Sequence, residues 1–145
     1  MSEKLSRRGF LATAAAAAPT AKAFATPHIW VPGAVIEPVV ISSDNGLQYT
    51  NGGTEPCVAV AYRKVIAGDD VLDAVVAGVN MNELDPKDWS VGYGGLPNAD
   101  GVVQLDSCCM HGPKRWAGGV AGLEGVRTPS KVAQLVASTT DHHLL

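Results

Sequence analysis

The run Ser90-Val91-Gly92-Tyr93-Gly94-Gly95-Leu96-Pro97 constrains the fold of this chain more than any other segment. Gly92, Gly94 and Gly95 interrupt an apolar stretch, and glycine weakens a regular strand. Packing alone is a poor account of such a run. Close backbone approach, a bulge or a ligand site explains it better. Pro97-Asn98-Ala99-Asp100-Gly101 follows and has the residues of a tight turn. The pattern predicts two hairpin strands, over residues 91–95 and 102–106. It is not a dinucleotide fingerprint, because no helix start follows Gly92-Tyr93-Gly94.

The N-terminus reads as an export signal. Ser6-Arg7-Arg8-Gly9-Phe10-Leu11 is a twin-arginine pattern, followed by an alanine-rich apolar region and a small-residue cut site at Ala23-Phe24-Ala25. The apolar stretch is shorter than the ~20 residues a permanent span requires. Residues 1–25 are therefore assigned to a signal, 26–38 to a proline-containing linker and 39–145 to one modest domain. The expected location is periplasmic or secreted, by the twin-arginine route, with no membrane association after signal removal. That route carries proteins folded in a reducing cytoplasm. Cys57, Cys108 and Cys109 fit it, reading as buried structural thiols and not as a disulfide framework. No CxxC or HxxxH spacing suggests a metal, and no cofactor is expected. A net charge of −3 without a basic stripe gives no nucleic-acid signal, and 46% hydrophobic residues mark a globular chain.

The β-branched run at residues 39–43 predicts a buried strand ending at the Asp44-Asn45-Gly46 turn. Asn51-Gly52-Gly53 marks a loop. Thr54 is a good N-cap for a helix carrying Val58, Tyr62, Val65 and Ile66 at helical spacing and closed by Gly68. Asp69 or Asp70 caps a second helix with Leu72, Val75, Val76 and Val79 as its buried stripe, ended by Asp85-Pro86. A glycine-weakened strand is expected over 118–126. Thr128-Pro129 then starts a last helix with Val132, Leu135 and Val136 inward. Strand, two helices, several strands and a helix make a layered α+β architecture.

Searched for chemistry directly, the chain offers little. His28 lies in the linker, His142 and His143 at the C-terminus, and His111 in a turn expected to face solvent. Asp85, Asp88, Asp100 and Asp106 form no obvious pair, and surface or turn positions account for most of them. No G-x-S-x-G elbow is present.

Taken together, several segments resemble the glycosylasparaginases. Residues 67–75 are similar to that family's "G-x-x-A-L-D-A-V" helix entry. Residues 83–97, with the glycine run, resemble its most recognisable segment. Leu105-Asp106-Ser107-Cys108-Cys109-Met110-His111-Gly112 resembles "L-D-A-x-x-M-D-G", and residues 119–123 its glycine-rich strand. Thr128-Pro129 through Val136, with Thr140, His142 and Leu144-Leu145, resembles "N-P-x-x-V-A-R-x-V-M…T-x-H-x-L-L". Order and spacing agree from Gly68 to Leu145, and more loosely back to Val39.

The resemblance implies an N-terminal-nucleophile hydrolase with a four-layer αββα sandwich. In that family the precursor cuts itself and exposes a threonine, whose hydroxyl attacks a side-chain amide with its own α-amine as base. The implied substrate is glycoasparagine, or asparagine and β-aspartyl peptides in the plant-type asparaginase branch. The "S-V-G-Y-G-G-x-P" form favours the first. The family's "H-D-T" cleavage site is not in this chain. The expectation is therefore an α-subunit portion, inactive alone, whose partner is a second subunit from the same precursor in an αβ or (αβ)2 assembly. A non-catalytic α-half module is the alternative. Asp44, Asn45 and Ser90 are the expected substrate-binding residues. Asp44 falls where the family usually has a pocket tryptophan, and the matching serine of the family lies beside the nucleophile. Ser90 reads equally as a strand-start serine satisfied by backbone. Tyr62 replaces a frequent tryptophan, and His111 the aspartate of "M-D-G".

Overall fold

The computed structural model describes residues 37–145, so the signal, most of the linker and His28 lie outside the described residues. Four helices and one hairpin follow in order: α1 (Asn45–Gln48), α2 (Cys57–Ile66), α3 (Val71–Leu84), a 3-10 turn (Gly92–Gly94), β1 (Leu105–His111), β2 (Trp116–Leu123) and α4 (Pro129–Thr139). This is α+β, as the sequence pattern predicts. No described helix is long and apolar enough to cross a membrane.

Helix α2 begins at Cys57 with Pro56 at the N-cap position, not at Thr54. Its end is as expected: the Gly68 N–H reaches Val65 O at 3.1 Å. Between the two candidate caps, the structure selects Asp70, whose side chain accepts the Leu72 N–H at 2.9 Å. Leu72, Ala74 and Val76 are buried, but Val75 is exposed, so the inward stripe of α3 is rotated from the expected one. Helix α4 buries Ala133, Val136 and Ala137 and leaves Leu135 exposed. Val120, Ala133 and Val136 form the core, with Cys109, Leu123 and Val132 against it. Fully burying one such valine contributes about 1.5–3 kcal/mol.

The hairpin is not the expected one. Strands β1 and β2 pair antiparallel, with Cys108 opposite Gly119 and His111 opposite Trp116. The turn between them is 112–115, with Arg115 at φ 54. Residues 91–95 are not a strand: Val91 is extended, and Gly92–Gly94 is a 3-10 turn. Residues 98–102 do turn, with the Asn98 N–H bonded to Val102 O at 2.8 Å, but they lead into β1 from outside the sheet. Nor are residues 39–43 a strand among the described residues; they run without a sheet partner, and Ile41 is 88% exposed.

The glycines of β2 have a concrete reason. A side chain at Gly118 would overlap Ala133 O on α4, so the helix lies directly on the strand's backbone. The opposite sheet face carries Cys108, exposed and not buried as expected, and Met110, 81% exposed. Leu144 makes a parallel bridge to Gly119, on the β2 edge. A groove of about 320 Å³ lies between Val39, Ile41, Val58, Val71, Val75 and Val79.

Candidate functional site

The loop after α3 gathers polar groups from α1, the end of α3 and the loop itself. Asp88 is 0% exposed. It accepts the Ser90 N–H at 3.0 Å, the Ser90 hydroxyl at 2.5 Å and the Asn82 amide at 3.0 Å. Asn45 Nδ2 lies 2.6 Å from Ser90 Oγ and 3.4 Å from Asp88 Oδ1. Asn82 also donates to Asn45 O at 2.8 Å, which pins α1 to the end of α3. Both of these acceptors fix the Asn82 amide orientation and leave its buried Oδ1 without a donor among the described residues.

Electrostatically, burial pushes the Asp88 carboxyl up, and hydrogen bonds from Ser90, Asn82 and Asn45 outweigh it. The net direction is down from the ordinary value, so Asp88 is a carboxylate near neutral pH. Its neighbour Asp85, also buried, accepts the Asn51 N–H at 2.8 Å and the Lys87 N–H at 2.9 Å. The sequence assigns most of its isolated aspartates to surface or turn positions, and these two are buried. Polarity suggested that position, but each is buried because backbone and amide donors meet it. An Asp two residues before a Ser, the Asp-Trp-Ser of residues 88–90, is the pattern of a local side-chain turn and is the signal that could have found Asp88.

The glycine run wraps this loop onto the helix end. Gly92 has φ 56, and a side chain there would overlap Glu83 O; one at Gly94 would overlap Asp88 O. The run is thus a close backbone approach over the C-terminus of α3. Glu83, 2% exposed, points the other way. It accepts the Ser130 N–H at 2.9 Å, the Ser130 hydroxyl at 2.7 Å and the Asn80 amide at 2.6 Å. Thr128 holds the N-cap position of α4 without a capping bond, so Glu83 supplies that acceptor from α3.

Of the expected binding residues, the structure brings Asn45 and Ser90 together and leaves Asp44 apart. Asp44 is exposed and takes a hydrogen bond from Gln48. Ser90 is exposed, while the groups beneath it are buried.

A second polar cluster lies at the other end of α3. His111 is buried, contrary to its expected solvent-facing turn. Its Nδ1 accepts the Lys114 N–H at 3.1 Å, so its Nε2 proton points to Asp70 at 2.9 Å. Lys114 Nζ reaches the same carboxylate at 2.7 Å and lies 4.8 Å from the Trp116 ring centre. Lys114 first, then His111, hold the Asp70 carboxyl well below the usual range. This cluster fastens the hairpin turn to the N-terminus of α3. Cys57 and Cys109 are pushed up by burial, which disfavours a thiolate nucleophile at either.

Comparison with known proteins decides the family. The family profile described as "Asparaginase" matches residues 28–145. This chain belongs to the asparaginase family of N-terminal-nucleophile hydrolases. It is 38% identical over 109 residues to the N(4)-(beta-N-acetylglucosaminyl)-L-asparaginase of Elizabethkingia miricola, covering 75% of this chain and 30% of that relative. It is 36% identical over 93 residues to the isoaspartyl peptidase/L-asparaginase of Rattus norvegicus, covering 64% of this chain and 28% of that relative. The plant-type L-asparaginase of Pyrococcus horikoshii is 37% identical over 93 residues, covering 64% and 30% respectively. The chain therefore spans about 30% of the length of these relatives.

Proposed function

We propose that this chain is the N-terminal portion of an exported, self-processing amidohydrolase that cleaves the side-chain amide of asparagine or glycoasparagine and releases aspartate. The observation that carries the reading is the meeting of Asn45 with the Asp88–Ser90 loop, two separate segments that place an exposed Ser90 hydroxyl over a buried carboxylate. The catalytic threonine comes from sequence beyond Leu145. Its hydroxyl attacks the amide carbon, its own α-amine takes the hydroxyl proton and passes it to the amide nitrogen, and ammonia or the glycosylamine leaves. Water then releases aspartate from the acyl-enzyme. Asn45 and Ser90 contact substrate or nucleophile, and Asp44 stands at the rim. The described layers form part of the four-layer sandwich, and the exposed Met110 face and the Val71–Val75–Val79 groove are covered by the rest of the polypeptide.

Two observations keep a second specificity in play. Asp44 stands where the family usually has a tryptophan, and the rat and archaeal relatives are asparaginases or an isoaspartyl peptidase by name. Without that aromatic wall a sugar has no ring to stack on at this position, which favours a substrate that lacks a sugar.

The test starts from the reading frame beyond codon 145. A His-Asp-Thr followed by a second subunit is expected, and a stop codon there promotes a non-catalytic module instead. The complete frame is then expressed and run on a denaturing gel, where two fragments are expected. Persistence of one uncut chain with the threonine intact refutes self-processing. Aspartate release from glycoasparagine is compared with release from free asparagine, and faster turnover of the free amino acid assigns the plain asparaginase branch. Export is tested by replacing Arg7 and Arg8 with Lys, which should leave the protein in the cytoplasm.

A further inference from the structure

We infer that Asp88 is a positioning residue that turns the Ser90 hydroxyl into an acceptor aimed at an amine. The inference rests on the proposed amidase reading and adds a residue to it. A hydroxyl has one proton and two lone pairs. The Ser90 proton lies on Asp88 Oδ1 at 2.5 Å, and one lone pair takes Asn45 Nδ2 at 2.6 Å. The Asp88 carboxylate has three further donors, the Ser90 N–H, Asn82 and, at longer range, Asn45, and its shortest contact is the Ser90 hydroxyl. Neither of these contacts uses the remaining lone pair of Ser90, and Ser90 itself is exposed to a docking group. A group docking there must bring an N–H or O–H.

Charge makes an ammonium the best such group. No cationic side chain pairs with Asp88 among the described residues. Its negative charge is held by dipoles alone and extends toward the surface through Ser90 Oγ. The surrounding charged groups are otherwise engaged. Asp44 on α1 binds Gln48, Glu83 on α3 faces Ser130, Asp85 takes backbone N–H groups, and Arg127 lies 4.5 Å from the Tyr93 ring centre. Lys87 is adjacent in sequence and exposed. An amine on Ser90 would lie roughly 5 Å from the carboxylate, two hydrogen-bond lengths away.

The experiment uses the complete polypeptide, with Asp88→Asn, Ser90→Ala and the double variant. It follows kcat/KM for aspartate release against pH, together with thermal unfolding. A base amine acts in its neutral form, so activity rises with pH through the amine's titration. A nearby negative charge raises that midpoint. Asp88→Asn should move the acid limb to lower pH by roughly 0.5–1 unit, the scale expected for one charge at that distance in a mostly solvated site. Ser90→Ala should move it in the same direction, and the double variant should add little. If Asp88→Asn does not accumulate as folded protein, the Ser90→Ala limb decides alone. An unmoved limb in folded variants, or fully additive losses in kcat, overturns the positioning role and leaves the amidase reading standing. A wild type without turnover removes both, so the two failures are distinguishable.

Discussion

Replacing Glu83 should destabilise this protein more than replacing any surface carboxylate, in a graded way. The side chain is 2% exposed and accepts three donors, at 2.6, 2.7 and 2.9 Å. Glu83→Ala leaves the Ser130 N–H, the Ser130 hydroxyl and the Asn80 amide without their acceptor. Each hydrogen bond to a charged group contributes about 1.5–3 kcal/mol, and a buried donor left unpaired costs about 1–3 kcal/mol. The losses overlap, because Asn80 also donates to Ser130 Oγ at 2.9 Å and keeps that bond. A loss of about 3–5 kcal/mol is expected. Glu83→Gln keeps the Oε1 contact with the Ser130 N–H and presents an NH2 to the other two. The Ser130 hydroxyl can rotate to accept it, so only about 1–2 kcal/mol should be lost. Urea unfolding followed by far-UV circular dichroism measures both. A Glu83→Ala variant within about 1 kcal/mol of wild type, or a Gln variant as damaged as Ala, refutes the claim that this carboxylate ties α3 to α4.

Gly92→Ala combines a left-handed φ of 56 with overlap on Glu83 O, so it should lower stability by about 3 kcal/mol or more, whereas Gly101→Ala, also at positive φ but in open space, should cost only about 1 kcal/mol. Equal thermal shifts for the two would remove the close-approach account of the glycine run. Asp70 carries a pH signature. Its folded-state carboxyl titrates below the unfolded value, so its stabilising contribution is present above about pH 4 and is lost as pH falls through the folded value. Asp70→Asn should therefore be less stable than wild type at neutral pH, with the gap closing on acidification below about pH 4. A gap that persists unchanged at pH 2, in an acid unfolding series, contradicts the ion-pair assignment.

Helix ends were the most legible part of this sequence, because their chemistry is local. Asp70 before a stripe of apolar residues and Pro129 at the first helical turn both act where the pattern places them. The strands were misplaced by the same reliance on local signals. Residues 97–101 have better turn residues than Gly112-Pro113-Lys114-Arg115, yet the second set closes the hairpin, with Arg115 in a conformation that favours glycine. Cross-strand partners decide that choice, and single-sequence patterns do not carry them. Residues 39–43 are β-branched but unpaired here. At the site, Asn45 and Ser90 came from family resemblance. Asp88 and His111 were hidden, because a buried polar side chain looks like a surface one until its donors are located.

The glycine run, Glu83 and Asp88 are best understood as one device. Gly92 lies on the Glu83 backbone carbonyl and Gly94 on that of Asp88, at distances no Cβ permits, so the loop packs main chain on main chain at both residues. Both carboxylates are buried, each meets its own donors, and they turn in opposite directions. Glu83 finds the N-terminus of α4, which fixes helix to helix. Asp88 finds Ser90, Asn82 and Asn45, which fixes the exposed hydroxyl. Gly92 and Gly94 therefore hold the loop that serves stability through one acid and the proposed chemistry through the other. A substitution at Gly92 or Gly94 should damage both together, while Asp88→Asn should leave the Glu83 joint intact.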